Sequence, residues 1–217
     1  MKGSKYCKLL IGVMIIIFIP YLGATTFRAT TFQKMIEESD LVVEGTCVEK
    51  SSRFVGNIIM TVADIEVHSV LKGQEGRKEK GNDNIQIAYV GGEVESPLPL
   101  GQKVHGGVNL EIGDRAYLFL NVPDRRNRYY SAAREEFELK DYPLEVKSMA
   151  RGVFKVRDEQ LVFNRWQEPF KRELFDKYAP ESLRLQQKDE NVPQKGWIVQ
   201  PEVFSQAVMN QPQAEEE

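Results

Sequence analysis

LVVEGTCVEKSSRFVGNIIMTVADIEVHSVLKG, residues 41–73, is the stretch on which the fold turns. Its first part sets Leu41, Val43, Gly45 and Cys47 against Val42, Glu44, Thr46 and Val48. That period of two predicts a strand with one buried face. Gly56-Asn57 is turn chemistry, and beyond it Ile59, Ala63, Ile65, Val67 and Leu71 alternate with Met60, Asp64, Glu66 and His68. The two strands should therefore pair as a hairpin, with Gly73 closing the second. Cys47 falls on the inner face and reads as a small buried hydrophobe rather than a reactive thiol.

Toward the C-terminus, residues 74–84 carry no apolar side chain and predict a solvated loop. Ile85, Ile87 and Tyr89 begin a third strand that Gly91-Gly92 ends, and residues 91–109 form a long connection rich in glycine and proline. A connection of that length is functional or disordered, and Val94, Leu98, Leu100 and Val104 would supply a contact patch or pack the end of the domain. Past the Gly113-Asp114 turn, residues 115–122 are apolar on both faces, as in a central strand. Further strands are expected at 128–132, at 152–157 and, across an Arg157-Asp158-Glu159 turn, at 160–163; the polar segment 135–149 has no clear assignment. Phe170, Leu174, Phe175 and Tyr178 then take helical spacing, a polar linker covers 181–195, and Pro201 opens a last short helix with Val203, Phe204 and Val208.

Toward the N-terminus, Thr30 and Gln33 stand in capping-box spacing, and Phe32, Met35 and Ile36 share one face of a helix over 31–39. Before it, Lys2, Lys5 and Lys8 precede the uncharged run 9–22, which ends in Pro20 and Leu22-Gly23-Ala24. As a helix that run spans ~21 Å, short of a hydrocarbon core of roughly 30 Å, so it reads as a secretory signal peptide over 1–24, cut after Ala24. Cys7 lies ahead of the apolar run, where no lipoprotein signal places its acylated cysteine, and cleavage leaves Cys47 without a disulfide partner. The domain plan is then a leader at 1–24, a β-barrel at 25–164, a helical C-terminal extension at 165–210 that packs on the barrel or on a partner, and a disordered acidic tail at 211–217. Location is extracytoplasmic, secreted or periplasmic, with no membrane span after cleavage. Without the leader's three lysines, 26 basic residues face 32 acidic ones, a net charge of −6 that makes nucleic acid an unfavourable partner.

Short strands, hairpin turns and no regular alternation with helices predict a mainly β, antiparallel barrel or sandwich. Three segments, SDLVVEGTCVEK (39–50), VHSVLKG (67–73) and GVNLEIGDRAYLFL (107–120), resemble the netrin-like domain family that includes the tissue inhibitors of metalloproteinases. They are also similar, more closely, to a bacterial group of exported proteins of unknown function, in which a GxFxV strand follows, matched by Gly152, Phe154 and Val156. The resemblance implies an OB-like antiparallel Greek-key barrel with a short N-terminal helix. It does not carry over the inhibitors' zinc-gripping N-terminal cysteine or the disulfide frame, because a mature chain starting near Thr25 holds only Cys47.

The site candidates are modest. His68 shares a strand face with Asp64 and Glu66, a weak metal or proton site or a solvated strand face. His105, beside Lys103 and before Gly106-Gly107, lies in the long loop where a ligand would be met. Arg125, Arg126 and Arg128 with Tyr129 and Tyr130 place basic groups beside aromatics, the pairing that anionic glycans or single strands use, or else a solvated turn. No GxSxG, HExxH or phosphate-loop spacing occurs, and no cofactor is indicated. The expected function is a non-enzymatic exported binding module for a protein or a cell-envelope polymer, with ligand contacts at Lys103, His105, Arg125, Arg126, Arg128 and Tyr129. The alternatives are a protease inhibitor of netrin-like type and a hydrolase with a carboxylate-based site.

Overall fold

A computed structural model describes residues 30–73, 84–95, 99–124, 126–179 and 198–210. The expected leader, the solvated loop at 74–83, Leu98, Arg125, the linker at 181–195 and the acidic tail lie outside the described residues.

The hairpin is the longest feature. Strand β1 (Leu41–Val55) pairs antiparallel with β2 (Ile58–Lys72) from Val42↔Lys72 to Val55↔Ile58. It is buried on both faces near its start, not one, because Val42 packs among aromatic rings while Leu41, Val43 and Cys47 enter a second core. Helix α1 (Phe32–Glu37) precedes it, one residue out of the expected register, with Thr31 Oγ1 accepting from the Lys34 N–H. At the other end of α1 the Lys72 ammonium donates to the carbonyls of Ile36, Glu37 and Ser39 at 2.6, 2.8 and 2.8 Å, a cation on carbonyls that helix geometry leaves open.

Strand β3 (Asn84–Val90) pairs antiparallel with β2, and within the connection after it β4 (Gly92–Val94) and β5 (Leu100–Gln102) form a small two-stranded sheet. Gly92, at φ +136°, lies so close to the Thr61 and Ser52 hydroxyls that a Cβ would stand 2.3 and 2.6 Å from them. Strand β6 (Arg115–Asn121), buried from Ala116 to Leu120, lies along β1 from Leu41↔Leu120 to Thr46↔Arg115.

Residues 128–132 are not a strand. They open helix α2 (Arg128–Glu136), with Asn127 as N-cap accepting from the Tyr129 N–H at 3.1 Å. Tyr130, Ala133 and Phe137 recur at helical spacing and dock on Val55, Met60, Val62 and Ala88, so a capped apolar stripe outweighs the strand preference of two tyrosines. Strand β7 (Leu144–Val146) follows inside the unassigned segment, then a 3-10 turn (Met149–Gly152), β8 (Val153–Arg157) and β9 (Gln160–Val162).

Among the described residues the main sheet has seven strands in the order β1-β2-β3-β7-β6-β8-β9, and β6 also pairs with β1. It is mixed rather than antiparallel, because β3 and β7 run parallel through Ile87↔Leu144. The pairings β1·β2, β2·β3, β3·β7, β7·β6 and β6·β1 return to their start, and a circuit of five strands cannot alternate direction throughout.

Helices α3 (Glu168–Tyr178) and α4 (Pro201–Met209) bury Phe170, Leu174, Phe204 and Val208 against Phe119 and Phe154 of the sheet. Phe32 of α1 completes that cluster, its ring centroid 5.2–6.0 Å from Phe119, Phe154, Phe170 and Phe204. Two polar ties lock the helices in place. Glu173 accepts from the Phe32 N–H at 2.8 Å, and the Tyr117 hydroxyl meets the Pro201 carbonyl at 3.2 Å and Ser205 Oγ at 3.0 Å. Among the described residues no helix is long and apolar enough to cross a membrane.

Candidate functional site

The 103–109 loop holds the most promising surface. A bond from the Gly107 N–H to the Val104 carbonyl at 2.9 Å bends it into a turn with exposed His105 at the tip. The Gly106 carbonyl accepts from the Ala150 N–H at 3.0 Å, which fastens the loop to the 3-10 turn before β8. That turn is itself held from beneath. Buried Gln167 donates from Nε2 to the carbonyls of Ala150, Arg151 and Val153 at 3.3, 3.1 and 2.8 Å, while its Oε1 accepts from the Asn164 N–H at 3.0 Å. Asn164 in turn donates to the Ala150 carbonyl at 3.0 Å and accepts from the Trp166 N–H at 2.9 Å. Satisfied buried amides of this kind fix one backbone geometry, because any other would leave them unpaired.

Between loop, β8 and residues 164–166 lies a cleft of about 420 Å³. His105 meets the Trp166 ring edge-on at 5.1 Å, and the Arg165 guanidinium lies 4.5 Å over the same indole. Lys103, Lys155 and Arg157 also line the cleft. The Lys155 ammonium is paired with Asp114 at 2.5 Å, both side chains mostly covered. Burial pushes the Asp114 carboxyl up, but the Lys155 ammonium and the Glu111 N–H outweigh it and hold the carboxyl below its usual range. Among the described residues, Lys103, Arg157 and Arg165 take part in no ion pair.

A second cleft of about 640 Å³ lies on the other side of the same loop and shares Lys103, Val104, Gly107 and Asn109 with the first. Its wall is polar: Ser52 and Thr61 hydroxyls lie 2.8 Å apart, and Gln102 Oε1 accepts from the Ile59 N–H at 2.6 Å. Lys50 bridges Glu111 at 2.5 Å at its rim. Tyr89 is 8 % exposed, and burial raises its phenol well above the usual tyrosine range.

Of the expected contacts, Lys103 and His105 come together here. Arg126 and Arg128 line neither cleft. Arg126 closes on Asp124 at 2.9 Å with both side chains in solvent, and Arg128 lies 5.0 Å over its neighbour Tyr129 at the start of α2. Arg125 is outside the described residues. His68 Nε2 lies 2.8 Å from Thr46 Oγ1 across the β1–β2 pair, and among the described residues no group of three or more His, Cys, Asp or Glu could hold a metal. Arg165, Trp166 and Arg157 are site residues that the sequence reading missed. The signal was present, since Arg165-Trp166 is itself a basic group beside an aromatic, the pattern weighed only at 125–130. No protein-family model matches the chain, and no curated protein matches it.

Proposed function

We propose that the chain is an exported, non-enzymatic binding module on an OB-like barrel, taking a protein or a cell-envelope polymer at the 103–109 loop. The barrel reading is supported by the five-strand circuit of pairings that closes from β1 back to β1 through β6, with a parallel β3·β7 contact. The three segments of the netrin-like resemblance fall on β1, on the end of β2 and on the stretch leading into and along β6, with β1 paired to both of the others. Export rests on the leader sequence.

One observation carries the binding function: the loop contributes to two adjoining clefts while its backbone is anchored to a turn that a buried glutamine holds. Loops fixed on a rigid sheet are where recognition residues concentrate. The test is the full chain, secreted and immobilised, exposed to envelope extracts beside its Lys103→Ala/His105→Ala double variant. A component retained by the parent and lost from the variant is expected. Equal retention by both would remove the loop from the function, and an N-terminus at Met1 in the secreted product would remove leader cleavage.

A further inference from the structure

We propose that the 420 Å³ cleft binds the acid group of an anionic saccharide, through Lys103, Arg157 and Arg165; this rests on the binding-module reading above and names its ligand class.

Five of the fourteen residues lining the cleft are Lys, Arg or His, and none of them is Asp or Glu. In a chain with 29 basic and 32 acidic residues this is a local inversion of charge. The overall negative charge repels an anion at a distance, yet exposed charges more than about 8–10 Å away are largely screened at physiological salt, so a bound anion feels the cleft. Asp114 cancels Lys155 and draws on Arg157, so the remaining positive field comes from Lys103, Arg165 and part of Arg157. His105 adds a ring nitrogen at the loop tip.

Arg165 is the most informative of these. Its guanidinium carbon lies 4.5 Å from the Trp166 ring centroid, a cation–π contact that restrains the side chain, and a guanidinium offers several N–H donors in one plane that a carboxylate or phosphate meets two at a time. The fixed turn beneath makes the arrangement preorganised, which reduces the ordering cost of binding.

The saccharide assignment comes from the neighbouring cleft. It shares Lys103 and the exposed Asn109 with the basic one and adds the half-buried Ser52 hydroxyl and Gln102 amide, polar groups suited to a polyhydroxylated chain running on from the acid group, while the Thr61 hydroxyl behind them is buried and bonded to the Gly91 carbonyl. Single-stranded nucleic acid would need open aromatic faces for its bases. Tyr89 is buried, and the Trp166 indole already carries Arg165 over it and His105 at its side.

The test is calorimetric titration of the full chain with an oligogalacturonate, a phosphate-bearing dextran, neutral dextran, poly-glutamate and oligo-dT. Binding of the uronate or the phosphate saccharide is expected, weakening with salt, with neutral dextran inert; the two acidic arms tell carboxylate from phosphate recognition. Arg157→Glu with Arg165→Glu should lower affinity at least tenfold. Both side chains are exposed, so the melting midpoint should hold; if that pair fails to fold, Arg157→Gln with Arg165→Gln should still lower affinity severalfold. Equal binding of neutral and acidic dextran, unmoved by the substitutions, overturns the anion site. Tighter binding of poly-glutamate or oligo-dT overturns the saccharide class. Binding of no probe also overturns the inference, and the envelope capture described above then tells whether the module reading falls with it.

Discussion

Strand β8 separates two regions of the molecule that are built on different physics. Phe154 and Val156 point into the aromatic cluster shared by α1, α3 and α4, while Lys155 and Arg157, one residue out of phase, line the basic cleft. Period-two alternation lets five residues serve as core on one side and as recognition surface on the other. The core side is stiff because its rings are enclosed, and the cleft side can carry like charges because water reaches them. Stability and binding should therefore be separable along a single strand.

The largest expected effect tests the core side. Phe154→Ala removes a ring in contact with Phe32, Phe119, Phe163, Phe170 and Phe204, and should cost about 3–5 kcal/mol in urea unfolding with an unchanged slope. Gly152→Ala comes next. A Cβ there would stand 2.1 Å from the Lys147 carbonyl, so the backbone must shift, at a cost of roughly 1–3 kcal/mol by the same measurement.

Opposite pH responses sharpen the comparison. Burial raises the Glu145 carboxyl on β7, with Tyr130 and Lys147 opposing it only in part. A raised acid stabilises the fold below its ordinary pKa, and that contribution is lost as pH rises through the folded-state value. Glu145→Gln should therefore raise the melting midpoint at neutral pH, with the gain vanishing below about pH 4.5. The carboxyl of Asp114, which pairs with Lys155 of the cleft, is lowered. Its contribution is present above its ordinary pKa and lost as pH falls through the lower folded value, so Asp114→Asn should destabilise at neutral pH and converge with the parent in acid. Thermal melts across pH decide both signs, and the same sign for the two variants would break the division.

The smallest effect is as informative as the largest. Arg157→Gln should leave unfolding within about 0.5 kcal/mol while weakening acidic-saccharide binding. A stability loss comparable to that of Phe154→Ala would show that the cleft charges hold the fold.

What could be read from the chain follows from how local each signal is. The β1–β2 hairpin was visible because alternation and the Gly56-Asn57 turn lie within one continuous stretch. Helix α2 was misread as a strand because adjacent tyrosines favour strands, while its evidence, an Asn127 cap and a stripe at Tyr130, Ala133 and Phe137, counts only against the β1–β2–β3 surface that receives it. Two residues of the site, Lys103 and His105, were found from loop position. Trp166 and Arg165 lie some sixty residues further on, and the fold brings them to the loop through the direct His105–Trp166 contact and through Asn164 and Gln167, an ordinary-looking glutamine whose three carbonyl partners are set by the fold.

By itself, the sequence determined the periodicities, the turns, the apolar faces of α3 and α4 and the buried place of Cys47, since each depends on residues a few positions apart. Only tertiary structure decided that β3 and β7 run parallel, that β6 closes back on β1, and that five basic residues surround one cleft. Those are meetings between distant segments, selected by which apolar surfaces fit together, and no local pattern records them.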